Sequence, residues 1–478
     1  MGKWLLVAGV VLTVAFLVFA RPDRGGQAEV DALKKRQTAK RTESQSRALA
    51  GEFDLDRLRR EGRGQSVPPH LAVGQYPGGG WYVEEPATQS RASMPFRPGQ
   101  LAAEAPTELQ PINKNPGFVG ADRCESCHRE KHQAFIQTAH ARTSRIAEAD
   151  DIAGHFERGR NALATSNSDV SFRMRKDDDG LRQSVSFFGW QFETPIQLVF
   201  GSSKMGESHA FWNHDQLYQA NCSYLSASDS WINSPGFRDG DATFDRPILP
   251  GCIECHTTYV DVREMPNHFT PQTLIAGVSC ERCHGPGQQH LEYHAAHPNE
   301  KKGRFMSVPS ELSRQQQLDV CGQCHSSNKR LNQRPAFRFR PGDRLEDHYD
   351  FFESDEANAN EVHTSNQAAR LALSACFQGS EMACVECHNP HRNERGETKL
   401  FSERCLSCHR VDQCAPASDG DPSRTENCID CHMPLRAGRL FSESASGRIF
   451  PPLRDHHVRI DRRATEEFIA REEGSESQ

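Results

Sequence analysis

The frame Cys-x-x-Cys-His occurs seven times in this chain, and no other feature restricts its folding as much. The copies are Cys124/Cys127/His128, Cys252/Cys255/His256, Cys280/Cys283/His284, Cys321/Cys324/His325, Cys384/Cys387/His388, Cys405/Cys408/His409 and Cys428/Cys431/His432. Shuffling 17 Cys and 22 His over 478 residues yields roughly 0.03 copies of the frame, so composition does not produce it. Each copy is the attachment signature of a c-type haem. Two thiols form thioethers with the porphyrin vinyl groups, and the next residue supplies the proximal imidazole to iron. The frame therefore predicts seven covalently attached haems c. Structural zinc also uses Cys-x-x-Cys pairs but needs no His at the following position in every copy. A disulfide framework is weaker still, because thiols so close in sequence staple very little chain.

Seven porphyrins change what the remaining residues must do. The apolar set AVILMFWYC makes up 36% of the chain, somewhat low for a globular protein even with glycine added. Buried haem discs replace part of that core, so the haem-free chain is expected not to fold. The length suggests two to four domains. The formal charge is −7 and no basic patch stands out, which argues against nucleic-acid binding. Charged partners are expected to present a basic docking face.

The first residues read as an export signal. Met1-Gly2-Lys3 is a short positive start, Trp4 to Phe19 is an apolar run broken by Thr13, and Val18-Phe19-Ala20 resembles a cleavage site. Residues 1–20 are a signal peptide or an N-terminal membrane anchor. The run 4–20 is about 25 Å long as a helix, at the short edge of a membrane span. Either way the body is expected to be periplasmic or otherwise extracytoplasmic. Residues 21–117 hold no Cys and one His, His70, with Gly78-Gly79-Gly80, Pro95 and Pro98 among them. They read as a flexible polar linker.

The haem-bearing domain is expected over 118–460. Its first motif stands apart, and Val170 to Arg175 alternates apolar and polar before the turn signal Asp177-Asp178-Asp179-Gly180. That predicts a small antiparallel β module, about 165–230, between the first and second motifs. The other six motifs crowd into the rest, where short helices are expected, one over Leu312 to Cys324 with Ser310 as N-cap and one over Asn358 to Cys376. Residues 461–478 read as a polar tail. The fold class is thus a mostly α and irregular multihaem cytochrome c fold with one β insertion.

Phe118-Val119-Gly120-Ala121 before the first motif and Thr138-Ala139-His140-Ala141 after it resemble the opening of cytochromes of the c-552/c-554 type. Cys283–Gly287 (Cys-His-Gly-Pro-Gly), Cys387–His391 (Cys-His-Asn-Pro-His) and Cys431-His432-Met433-Pro434 are also similar to that family. The resemblance covers roughly 117–460 and implies electron transfer through stacked haem pairs. It further implies that His391 and His140 are distal ligands, each to an iron other than that of the nearest motif.

Fifteen histidines remain beyond the seven proximal ones, enough to close every iron. His290, His294 and His297 share a face if Gln288 onward is helical, and His290 is the candidate among them. His363 is a second candidate. His456 and His457 form a late pair, with His457 preferred. His70, His132, His155, His209 and His214 read as surface or locally hydrogen-bonded imidazoles, and Met306 and Met382 as packing. Cys222, Cys376 and Cys414 are left over; Cys376–Cys414 is a possible disulfide, and Cys222 a buried thiol.

Iron with two axial histidines binds no substrate and changes little on reduction. The pattern therefore predicts an electron carrier serving redox partner proteins or quinol-linked complexes. The alternative is an oxidoreductase acting on a small nitrogen or sulfur species at one five-coordinate haem. Some related reductases carry Lys in place of a motif His; no motif here does.

Overall fold

The chain forms strands where the sequence reading placed a linker. Tyr76 N–H donates to the Gly80 carbonyl across a turn in which Gly79 and Gly80 take φ of 106° and 49°, values that suit glycine. This turn joins Ala72–Gln75 to Trp81–Glu85, which pairs in turn with Ser90–Met94. The computed structural model describes residues 65–475 apart from 179, 328–329, 352–361, 415–421 and 439–441. The apolar run 4–20 and the linker residues before 65 lie outside the described residues. Among the described residues no helix is long and apolar enough to cross a membrane.

The expected mostly α fold with a single small β insertion is incorrect. More of the described residues lie in strands than in α-helices. The strands extend well beyond 165–230. One sheet joins the three N-terminal strands to Ala242–Thr243, which runs parallel to Ser90–Met94. A second is the meander Ala162–Ala164, Val170–Asp177, Gly180–Phe187 and Trp190–Pro195. The third has seven strands. Five follow the order Ser230–Asn233, Cys222–Leu225, Gly206–Asn213, Gln216–Gln219 and Arg246–Pro247, while Leu198–Phe200 carries Ser144–Ile146 at one side. The alternation at Val170–Arg175 turns Val170, Phe172 and Met174 inward.

These sheets close on a core that includes Val83, Met94, Phe172, Phe187, Trp190, Phe192, Phe211 and Phe244. Each buried aromatic contributes about 1.5–3 kcal/mol. No residue of a Cys-x-x-Cys-His motif belongs to this core. A second core, around Phe118, Ile253, Tyr259, Phe269 and Phe337, joins the sheets to the second motif. A third, around Val320, Phe339, Leu345 and Tyr349, reaches Cys283 of the third.

Helices in the remaining lobe are short. Arg314–His325 starts at Ser313, not Ser310: Ser313 Oγ accepts from the Gln316 N–H in a capping box. The helix expected up to Cys376 is two pieces among the described residues, Gln367–Ala372 and Ala375–Gln378. Between them Ser374 Oγ donates to the His456 carbonyl and accepts from the Val458 N–H. The segment read as a polar tail is the helix Arg462–Ser475. It buries Ala464 and Phe468 and packs on the last motif helix, Cys428–His432.

Candidate haem-binding centres

Every motif lies on or at the end of a helical turn. Examples are Asp122–Phe135, Pro250–His256, Glu281–His284, Arg314–His325 and the 3₁₀ turn Cys384–Glu386. Residues three apart share one side of such a turn, so both thiols of a motif can reach one porphyrin edge. The chain also brings motifs together. Thiols of different motifs lie close together in three pairs: Cys124 with Cys280, Cys321 with Cys384, and Cys405 with Cys428. First and third, fourth and fifth, and sixth and seventh motifs are thus neighbours. Cys283 lies close enough to Cys321, and Cys387 to Cys405, to interact electrostatically. Cys255 of the second motif is 3.9 Å from the Gln323 carbonyl on the fourth-motif helix.

The sequence reading gave all the motif cysteines one equivalent attachment role, and the structure separates them. Cys127, Cys252 and Cys408 are exposed, whereas the other motif thiols are half-buried. Cys127 Sγ meets only the neighbouring Ser126 Oγ, at 3.8 Å, and Cys408 Sγ only Ser407 Oγ, at 3.8 Å, among the hydrogen bonds of the described residues. Cys124 and Cys405 lie beside the leading thiols of the adjoining motifs. The attachment role of Cys127 and Cys408 rests on the motif spacing.

Four motif histidines face a second imidazole. The ring centres are 6.3 Å apart for His128 and His290, 6.2 Å for His325 and His140, and 6.0 Å for both His284 with His391 and His388 with His456. Two imidazoles each bound through Nε2 at about 2 Å from one metal have their centres roughly 6 Å apart. The donor set therefore fits six-coordinate haem iron. Three pairs have nearly parallel planes, at 22–27°, whereas His325 and His140 are at 67°.

The outer nitrogens set the tautomer. Nδ1 of His256, His284, His325 and His432 faces the carbonyls of Thr143, Ser307, Thr364 and Arg459 at 2.8–3.3 Å. Nδ1 of His290 faces Arg304 O at 2.8 Å and that of His456 faces Arg454 O at 3.3 Å. A carbonyl only accepts, so the proton is assigned to Nδ1 and the Nε2 lone pair points elsewhere, as a metal ligand requires. Burial pushes the His140 and His456 pKa values down to about 4, the latter helped by His388. Burial also lowers His128, His256, His388 and His391. Burial thus favours the neutral form of these rings, the form that binds metal.

Two expected distal residues are placed differently. The ring opposite His388 is His456, not His457. Arg370 holds Asp455 through two 2.9 Å contacts, and Asp455 receives the His457 N–H, which orients the segment. His363 Nδ1 accepts from the Ser365 N–H at 3.1 Å, which puts its proton on Nε2, the wrong tautomer for ligation through that nitrogen. His456→Ala is expected to convert one haem to high spin, while His457→Ala leaves the visible spectrum unchanged. Equal spectra for the two variants would remove His456 from the ligand set.

Among the described residues, His256, His409 and His432 face no imidazole at such a separation; Phe200 meets His256 edge-on at 5.6 Å. His132 and His209 are buried rather than on the surface, and His209 Nδ1 contacts the Cys222 carbonyl at 3.1 Å. Cys376 and Cys414 are not bonded to each other. Cys376 lies near Cys387 and Cys405, and Cys414 near Cys431. Burial raises the pKa of the free thiol of Cys222.

The family model described as cytochrome c554 and c-prime matches residues 211–285, which hold the second and third motifs. The chain is similar to the multiheme cytochrome MtrA of Shewanella baltica (strain OS185). They are 25% identical over 225 residues, 43% of this chain and 61% of that one, so the match spans about three fifths of that relative's length. The crystal structure of the outer cell wall cytochrome OcwA aligns with a TM-score of 0.44 and 15% identity over 72% of this chain and 79% of that one.

Proposed function

We propose that this multihaem c-type cytochrome conducts electrons along seven haems c outside the cytoplasm. The observation that carries the reading is the set of four imidazole pairs with centres 6.0–6.3 Å apart. His128, His256, His284, His325, His388, His409 and His432 are the proximal ligands, and the fourteen motif cysteines, the exposed Cys127 and Cys408 included, hold the porphyrins. His290, His140, His391 and His456 close the irons of the first, fourth, third and fifth motifs. Bound haem iron supplies a one-electron carrier whose potential follows its axial ligands and surroundings.

The chain sets the order of those carriers. Thiol proximities run first, third, fourth, fifth, sixth, seventh, with the second beside the fourth. Paired neutral imidazoles keep substrate and water off the iron and hold its geometry on reduction. The partners are redox proteins or quinol-linked complexes, met in the periplasm or an equivalent compartment. Residues 4–20 deliver the chain there as a cleaved signal or hold it as an anchor.

A second reading rests on His256, which faces no imidazole among the described residues and sits beneath Phe200. An iron there with an open position would make the protein an oxidoreductase for a small nitrogen or sulfur species. Electron paramagnetic resonance of the ferric holoprotein separates the readings. For the conductor, low-spin signals are expected from at least the four irons with paired imidazoles, with no change on adding cyanide or nitrite. A high-spin signal lost on adding either ligand would favour the enzyme, and a haem count other than seven would overturn the stoichiometry.

A further inference from the structure

Behind the helix that carries His290, Gln288–Ala296, the surface opens into a cavity of about 590 Å³, a size typical of small-ligand sites. Lys114, Arg338, Arg340, Gln288, Glu292 and Phe305 are among its lining residues. Gln288 and Glu292 each stand two positions from His290, roughly 200° round the helix axis. The cavity is therefore on the face away from the His128–His290 pair.

The charge in this cavity is unusual for a chain of net charge −7. Three cations meet one acid, and Glu292 already accepts from the Gln288 amide at 2.9 Å. No salt bridge joins Lys114, Arg338 or Arg340 to a carboxylate among the described residues. Arg340 instead donates to the Phe337 and Phe339 carbonyls and lies over the Phe118 ring at 5.1 Å. Burial and repulsion from Arg282 and Arg338 lower its pKa. Asp343 beside Arg340 and Glu292 only partly offset these cations, and an excess of crowded cations favours any anion that enters.

Phe305 supplies the second chemistry. It is 60% exposed and held at φ 63°, a left-handed conformation that a bulky residue rarely adopts. Its ring meets Tyr293 edge-on at 5.5 Å. An apolar ring held at the mouth of a cationic cavity suits a planar body with anionic groups.

We propose that this cavity binds a small aromatic polycarboxylate, with Lys114, Arg338 and Arg340 on its oxygens and Phe305 against its ring. A helix is about 10 Å across, so the bound anion sits within that order of distance from the His128–His290 pair. Resting on the haem ligation proposed above, its negative charge favours ferric over ferrous iron and lowers that midpoint potential. By reciprocity the oxidised protein binds the anion more tightly. The same carboxylate chemistry has a second source, a propionate of the neighbouring third-motif haem.

The test is calorimetry of the oxidised holoprotein with benzene-1,3,5-tricarboxylate and with inorganic phosphate. Saturable 1:1 binding of the tricarboxylate is expected, weakened about tenfold or more, a step of 1.4 kcal/mol, in the K114Q/R338Q variant. Both side chains are exposed, and an unchanged visible spectrum verifies that the variant folds. Phe305→Ala should weaken the tricarboxylate more than phosphate. Absence of saturable binding, or equal binding by the variant, overturns the proposal. So does a midpoint shift caused by K114Q/R338Q in anion-free buffer with no ligand bound by the wild type, which assigns the cations to the propionate. Binding itself does not depend on how the irons are ligated, so it can fail while the conductor reading stands.

Discussion

Replacing Cys321 and Cys324 with serine is expected to remove one haem and to divide the rest into two groups that no longer equilibrate quickly. The fourth-motif helix, Arg314–His325, packs against the turns of both the third and the fifth motifs. Cys321 contacts Cys384 and lies near Cys283, and Gln323 meets Cys255. By thiol proximities among the described residues, the first and third motifs reach the fifth, sixth and seventh across this helix, with the second beside it. Rapid-mixing reduction of the wild type should show one linked population. The variant should show a slow phase for about half its haems, retarded by orders of magnitude. Removing Cys252 and Cys255 also loses one haem but should leave no such phase, because the second motif is a side branch. His140→Ala, which retains the porphyrin, guards against misfolding as the explanation. Reduction of the Cys321/Cys324 variant as fast as the wild type would disprove the order.

The second large effect concerns folding without haem. When all fourteen motif cysteines are changed to serine, the sheets are expected to survive and the helical lobe to unfold. The aromatic core around Phe172, Trp190, Phe192 and Phe244 contains no motif residue, and its buried rings contribute about 1.5–3 kcal/mol each. The lobe instead has helices such as Glu281–His284, Ala375–Gln378 and Cys428–His432, far below the length at which a helix is stable alone. Its side-chain core is small, so attached haem must supply much of its burial. Far-ultraviolet circular dichroism should keep the strand signal and lose helix. Limited proteolysis should leave a protected fragment near residues 65–247. Complete digestion would show that the sheets also depend on haem. This narrows the expectation that the whole haem-free chain is unfolded.

The sheets were only partly legible. Val170 to Arg175 announces a strand because its alternation is long enough to exclude other periods. Ala72–Gln75 and Trp81–Glu85 are four and five residues long and flank three glycines, a pattern shared with a linker. What makes them strands is burial of Val83, Ala92 and Met94 against side chains more than seventy residues away. The choice between His456 and His457 was equally hidden. Adjacent residues in an extended segment point to opposite sides, and it is the buried Arg370–Asp455 pair that orients this one.

Haem attachment is local chemistry. Two thiols and an imidazole within five consecutive residues can meet one porphyrin edge whatever the rest of the chain does, so the proposed attachment positions follow from the sequence alone. Closure of each iron is not local. His140 and His325 are 185 positions apart, and His128 and His290 are 162 apart, yet their rings come within 6.2 and 6.3 Å. Motif adjacency, which sets the electron path, is equally remote from sequence order, since Cys124 meets Cys280 rather than Cys252. Only tertiary packing decided those pairings, because bringing distant segments together depends on the sheets, caps and buried ion pairs that hold them.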